Sequence, residues 1–151
     1  MKKIISLLLV MVMLLGLAAC GSSAPAATEA ATADVAMQYI TPEDAKEKLE
    51  DSGYVFFDLR KTEDSSKTTI PGAQAWDMDA AKEGDTEAGK ATMTKATQGL
   101  DKNIVLVCYS GKRYAQAGTN VLAALGANMD NVYTLEGGMT AWTEAGYAVE
   151  K

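Results

Sequence analysis

The chain has 151 residues, 48% apolar and 23% charged, which suits one globular domain of ordinary composition carrying an appendage. Its 20 acidic residues outnumber the 14 basic ones, and a formal net charge of −6 disfavours nucleic acid and anionic lipid as partners. With no histidine, Ser-His and Cys-His catalysis within the chain are excluded, and with two cysteines, Cys20 and Cys108, it cannot supply a four-thiolate zinc site. Neither a metal nor a cofactor is indicated.

Residues 1–19 read as an export signal. Met1, Lys2 and Lys3 make a short basic start, and Ile4 to Leu17 is an apolar run interrupted only by Ser6 and Gly16. The run ends in small residues, short of the roughly 20 apolar positions a membrane-spanning helix needs. Its exit, Leu17-Ala18-Ala19-Cys20-Gly21, resembles the lipobox of bacterial lipoproteins. That resemblance implies cleavage before Cys20, a diacylglycerol on its sulfur, and an exported protein held to the membrane by this lipid alone, on the extracytoplasmic side. Residues 20–36 are dominated by Ala, Ser, Thr and Gly, too poor in large apolar side chains to pack a core, and read as a flexible tether. The folded domain is expected over residues 37–151, as a monomer. With Cys20 lipidated, Cys108 is left as a free thiol in an oxidising compartment, where an unpaired cysteine is either reactive or a liability.

Along the domain, Thr41-Pro42-Glu43-Asp44 combines an N-cap hydroxyl, a first-turn proline and a carboxylate three residues on, predicting a helix over about 42–51. Tyr54 to Phe57 reads as a strand, Arg60 to Thr69 as polar loop, and Gln74 to Trp76 as a short strand after the turn at Pro71-Gly72. Residues 77–100 are weakly patterned and suggest one or two thinly packed helices. Asn103 to Val107 is a continuous apolar run of the kind buried on both faces of a parallel sheet, and it ends at Cys108. Tyr114 to Leu125 follows helical spacing, with Gly126 placed to end the helix. Val132 to Leu135 is a further strand, and Gly137-Gly138 turns into a last helix with Met139 and Trp142 on one face. Strands alternating with helices predict an α/β fold, a mostly parallel sheet with helices on both faces and ligands at the carboxyl ends of the strands.

Cys108-Tyr109-Ser110-Gly111-Lys112-Arg113 begins where the buried strand ends and finishes where a helix starts. Its backbone N–H groups can converge on the cysteine sulfur, as nests and helix N-termini do on anions. Lys112 and Arg113 add positive charge, and an electropositive setting of this kind favours the thiolate. A thiolate attacking a sulfur donor needs no general base, which suits a chain without histidine.

Four motifs resemble the rhodanese family in its order: Asp58-Leu59-Arg60, Ile70-Pro71-Gly72-Ala73, the Cys108 to Arg113 loop as C-x-x-G-x-R, and Leu135-Glu136-Gly137-Gly138 with Trp142. The resemblance spans roughly residues 37–151. It implies a sulfurtransferase in which Cys108 takes a sulfane sulfur from a small anionic donor such as thiosulfate and passes it to a thiol or cyanide. In that reading Tyr109, Ser110, Gly111, Lys112 and Arg113 cradle the donor and the persulfide, while Asp58 and Arg60 support the loop's surroundings. The position before Ile70, often histidine in the family, is Thr69.

Two other classes stay open. A phosphatase or arsenate reductase on the same scaffold has five residues between Cys and Arg, whereas four separate Cys108 from Arg113. A non-catalytic redox-sensing or sulfur-binding module would use the same fold without turnover.

Overall fold

The computed structural model describes residues 33–151. The expected signal segment 1–19, Cys20 and most of the tether lie outside the described residues. Five strands, β1 (Gln38–Ile40), β2 (Tyr54–Asp58), β3 (Gln74–Ala75), β4 (Asn103–Val107) and β5 (Val132–Leu135), form one wholly parallel sheet in the order β1-β5-β4-β2-β3. Among the described residues they are accompanied by six α-helices: α1 (Pro42–Glu47), α2 (Thr62–Ser65), α3 (Asp79–Lys82), α4 (Thr86–Ala96), α5 (Arg113–Ala124) and, after β5, α6 (Gly138–Glu144). The α/β architecture read from the sequence is the one observed. No helix among the described residues is long and apolar enough to cross a membrane.

β4 holds the centre because both of its faces are buried. Successive strand residues point to opposite faces. Ile104 and Leu106 therefore join Phe57, Met93 and Leu122 in a core under α4 and α5, while Val105 and Val107 join Ala45, Met139 and Trp142 in a second core under α1 and α6. Burying a side chain such as Phe57 or Leu106 contributes roughly 1.5–3 kcal/mol, so two such cores fix the level at which β4 ends. The chain leaves the sheet there, at Cys108.

Local chemistry explains where elements depart from the sequence reading. α1 is capped as expected, Thr41 Oγ1 accepting from the Asp44 N–H at 3.1 Å, but it stops at Glu47 instead of 51. Asp51 draws the chain into a turn by accepting from the Gly53 N–H at 2.8 Å and the Tyr54 N–H at 3.0 Å. The stretch expected as polar loop contains α2, whose start is capped from a distance: the Thr62 N–H donates to Asp77 Oδ2 at 2.9 Å. Residues 77–100 pack more deeply than expected, with Met78 1% and Met93 0% exposed. Asp34 and Val35, placed in the tether by composition, are bonded to α5. The Val35 N–H donates to Asn120 Oδ1 at 2.9 Å, its carbonyl accepts from Gln116 Nε2 at 2.8 Å, and Asp34 Oδ1 accepts from Asn120 Nδ2 at 2.8 Å.

Candidate active site at the carboxyl end of β4

Cys108 follows the last residue of β4, and residues 108–112 carry the chain to the start of α5 at Arg113. The first turn of α6 shapes this loop. A helix leaves its first N–H groups without intrahelical acceptors, and here two of them take loop carbonyls: Met139 N–H donates to the Cys108 carbonyl at 2.8 Å and Thr140 N–H to the Tyr109 carbonyl at 3.0 Å. Thr140 Oγ1 adds a second bond to the Tyr109 carbonyl at 2.9 Å. With those carbonyls engaged, the N–H groups of residues 109–112 keep no hydrogen-bond acceptor among the described residues. With its first two carbonyls occupied and these donors free, the start of the loop is polarised toward an anion.

Two glycines allow this approach. Gly111 has φ +67°, and a Cβ there would come within 2.6 Å of the Leu135 carbonyl oxygen. Gly138 has φ +56°, and its Cβ would collide with the Cys108 carbonyl and lie 2.7 Å from the Ser110 nitrogen. The Gly137-Gly138 pair, read from the sequence as a turn, is thus also the seat of the cysteine loop.

Cys108 is 1% exposed and belongs to the core cluster beneath α5, yet it also lines a pocket of about 230 Å³. Sequence reasoning set a buried core cysteine against a functional one; the residue is buried in the core and also lines this cleft. Tyr109 and Tyr114 form its aromatic sides, their rings edge to face at 5.4 Å, and Lys82, Lys112 and Arg113 stand among its lining residues. Ser110 lines it as well, so the whole expected loop except Gly111 contributes to the pocket wall.

Both tyrosine hydroxyls are already committed. Tyr109 donates to Asp64 Oδ2 at 2.5 Å and Tyr114 to Asp79 Oδ1 at 2.7 Å. Burial and then the Asp64 bond push the Tyr109 hydroxyl up to about 12, and burial together with Asp79 raises Tyr114 in the same direction. In return, the tyrosine bonds hold the Asp64 and Asp79 carboxyls below the usual carboxylate range.

Asp58 and Arg60 lie outside the pocket lining. Asp58 is fully buried and pairs with Arg60 through Nε to Oδ1 at 2.9 Å and Nη2 to Oδ2 at 2.6 Å. Thr69 Oγ1 donates to Asp58 Oδ2 at 2.7 Å, and Arg60 Nη2 also donates to the Thr68 carbonyl. Burial opposes the Arg60 charge, but the Asp58 bonds and field outweigh it and raise the guanidinium above its ordinary value. Arg60 reaches the site indirectly, its Cζ 5.6 Å from the centre of the Tyr109 ring. Thr69, at the family's frequent histidine position, therefore closes a buried ion pair rather than a wall of the pocket.

Sequence reasoning missed Lys82, Tyr114 as a pocket residue, the carboxylates Asp64 and Asp79, and the donors from Met139 and Thr140. Tyr114 did carry a signal, an aromatic one residue inside the helix that follows the loop; Lys82 carried none, because its segment is unpatterned.

Solved structures place this geometry among known folds. The chain is similar to a rhodanese-related protein from Thermoplasma volcanium, at 24% identity, TM-score 0.56, covering 75% of this chain and 97% of that one. It is similar to a thiosulfate sulfurtransferase from Pseudomonas aeruginosa, at 23% identity and TM-score 0.56, over 78% of this chain and 20% of that one. A protein of unknown function from Rhodopseudomonas palustris, described as a possible tyrosine phosphatase, aligns at 23% identity and TM-score 0.56 over 76% of this chain and 85% of that one. At these identities the likeness speaks to the fold. No curated protein matches. The rhodanese-like domain model matches residues 41–145, a span that holds β2 through β5, the cysteine loop and α6, and the chain belongs to the rhodanese-like domain family.

Proposed function

We propose that the protein is a sulfurtransferase that carries a sulfane sulfur on Cys108. The observation that supports this most is the loop's polarity: the carbonyls of Cys108 and Tyr109 are taken by α6, while the N–H groups of residues 109–112 are free beside a cysteine that lines a cation-rimmed pocket. The Cys108 thiolate attacks the outer sulfur of a donor such as thiosulfate; the donor's S–S bond breaks, and sulfite leaves with the electron pair. The anionic outer sulfur of the resulting persulfide is stabilised by the same donors. Cyanide or a thiolate then attacks that sulfur, forming thiocyanate or a new persulfide and regenerating the Cys108 thiolate. Cys108 is the one free cysteine among the described residues, so the acceptor comes from outside the domain.

A phosphatase needs a carboxylic acid able to protonate the leaving group. The carboxyls tied to the pocket tyrosines, Asp64 and Asp79, are held ionised below their ordinary range and suit that role poorly. Intact-mass analysis after incubation with thiosulfate, then with cyanide, beside a Cys108→Ser control, tests the proposal. The expected result is a gain of one sulfur atom that cyanide removes with release of thiocyanate, and no gain on the control. Normal alkylation of Cys108 without any sulfur gain, from thiosulfate or from polysulfide, would overturn it and favour the sensing module.

A further inference from the structure

Two threonines of α6 use their hydroxyls differently. Thr143 Oγ1 donates back into its own helix, to the Met139 carbonyl at 2.8 Å and the Thr140 carbonyl at 3.0 Å, a common habit of helical threonines. Thr140 donates out of the helix instead. Its Oγ1 and its own N–H meet on one atom, the Tyr109 carbonyl oxygen, at 2.9 and 3.0 Å. A carbonyl oxygen offers two lone pairs, so a single residue occupies this acceptor fully.

The neighbouring Cys108 carbonyl is held by the Met139 N–H at 2.8 Å, a donor that any residue but proline supplies. The second bond to Tyr109 needs a side chain with a donor at position 140. Its consequence lies in the peptide plane. In a trans peptide the C=O and the following N–H point in opposite directions, so pinning the Tyr109 carbonyl onto α6 turns the Ser110 N–H away from α6. That helix packs through Met139 and Trp142 on one face of the sheet, whereas Cys108 belongs to the core on the other. The Ser110 N–H, without an acceptor among the described residues, is thereby turned toward the side of the cysteine.

We propose that Thr140 is the positioning residue that gives the Cys108 loop its preference for anions. Its hydroxyl locks the Tyr109–Ser110 peptide in the orientation that presents the Ser110 N–H to an anionic ligand. Thr140 is not among the residues lining the pocket, so it acts through that peptide. This rests on the sulfurtransferase reading for the identity of the anion, and on the loop geometry alone for the preference itself.

The test alkylates the purified full chain with iodoacetate and with iodoacetamide, read at Cys108 by peptide mass. Both reagents lose iodide to the same thiolate and differ in charge. At one pH the ratio of the two rates is independent of how much thiol is ionised, and Lys112 and Arg113 are the same in every variant. Thr140→Val, close in shape but without the donor, should lower the iodoacetate-to-iodoacetamide ratio about two- to tenfold, the span of one net hydrogen bond. Thr140→Ser should keep the ratio. Thr143→Val, which loses hydroxyl bonds inside the same helix, should leave it unchanged. A ratio unmoved by Thr140→Val, moved equally by Thr143→Val, or lost in Thr140→Ser overturns the proposal. Persulfide formation from thiosulfate should fall together with the ratio. No persulfide even on the unmodified protein would instead bring down the sulfurtransferase reading, while the alkylation ratio still decides the role of Thr140.

Discussion

Gly138 lies against the Cys108 carbonyl so closely that a methyl group on it would collide with that oxygen and press on the Ser110 and Gly111 nitrogens, at 2.7 and 2.8 Å. The backbone of one motif is the mould for the other. Gly138→Ala is therefore expected to cost about 1–2 kcal/mol in left-handed backbone strain, and in addition to displace the loop. Persulfide formation should fall at least about tenfold, with a melting temperature several degrees lower. Gly146→Ala separates the two effects, because Gly146 has φ +71° with nothing within 4 Å of a Cβ. It should lose stability alone, and equal rate losses in both variants would refute the mould.

The buried pair of Asp58 and Arg60 makes a prediction about stability. Asp58→Ala removes one partner and leaves a buried guanidinium without its carboxylate, a change that costs about 3–5 kcal/mol. Thr69→Val deletes one hydrogen bond to the same carboxylate, whose bonds to Arg60 remain, and should cost roughly 1 kcal/mol. Urea unfolding of the two variants should rank them in that order. A Thr69→Val loss as large as that of Asp58→Ala would contradict the bonding described above.

Alkaline pH tests the tyrosine clasps. Tyr109 is raised from an ordinary value of 10.0 to about 12 in the folded protein. A raised value means that the unfolded chain loses its proton first, so the stabilisation is full below about pH 10 and is lost as pH rises through about 12. Tyr114 shifts in the same direction. Melting temperatures between about pH 9 and 12 should fall, and Tyr109→Phe should flatten part of that slope. Asp64 and Asp79 act at the other end: their lowered values stabilise the fold above the ordinary 3.8 and lose that effect as pH falls below it. An alkaline slope unchanged in Tyr109→Phe would show that its hydroxyl does not titrate with folding.

The lipobox-like exit at Cys20 leads to a prediction outside the described residues. We propose that Cys20 is lipidated: in detergent phase partitioning the protein should enter the detergent phase, and Cys20→Ser should move it to the aqueous phase. A Cys20→Ser protein that stays with detergent would refute lipidation at this residue.

How much of this was legible in the sequence differs by element. β4 was readable because both of its faces are buried, so Ile104 to Val107 is apolar throughout. α5 was readable from its one-sided spacing. α2 was not, since four residues carry too little periodicity and their cap, Asp77, lies 15 positions away. Within the site, the Cys108 loop could be located because one contiguous segment supplies the thiol, the backbone donors and the charge. Lys82, Asp79 and Thr140 could not, because they arrive from separate segments brought together by packing, and no local pattern marks them.

The sheet order has a consequence for assembly. β1 pairs only with β5, Gln38 opposite Tyr133, so the first strand of the domain waits for the last before it has a neighbour. Such long-range pairing slows folding, since the closure entropy is spent before the contacts form. The helix that captures the Cys108 and Tyr109 carbonyls, α6, comes later still in the chain. During synthesis, the cysteine is therefore a thiol on an open chain, and the loop that follows it takes its folded shape only when residues 138–140 have docked.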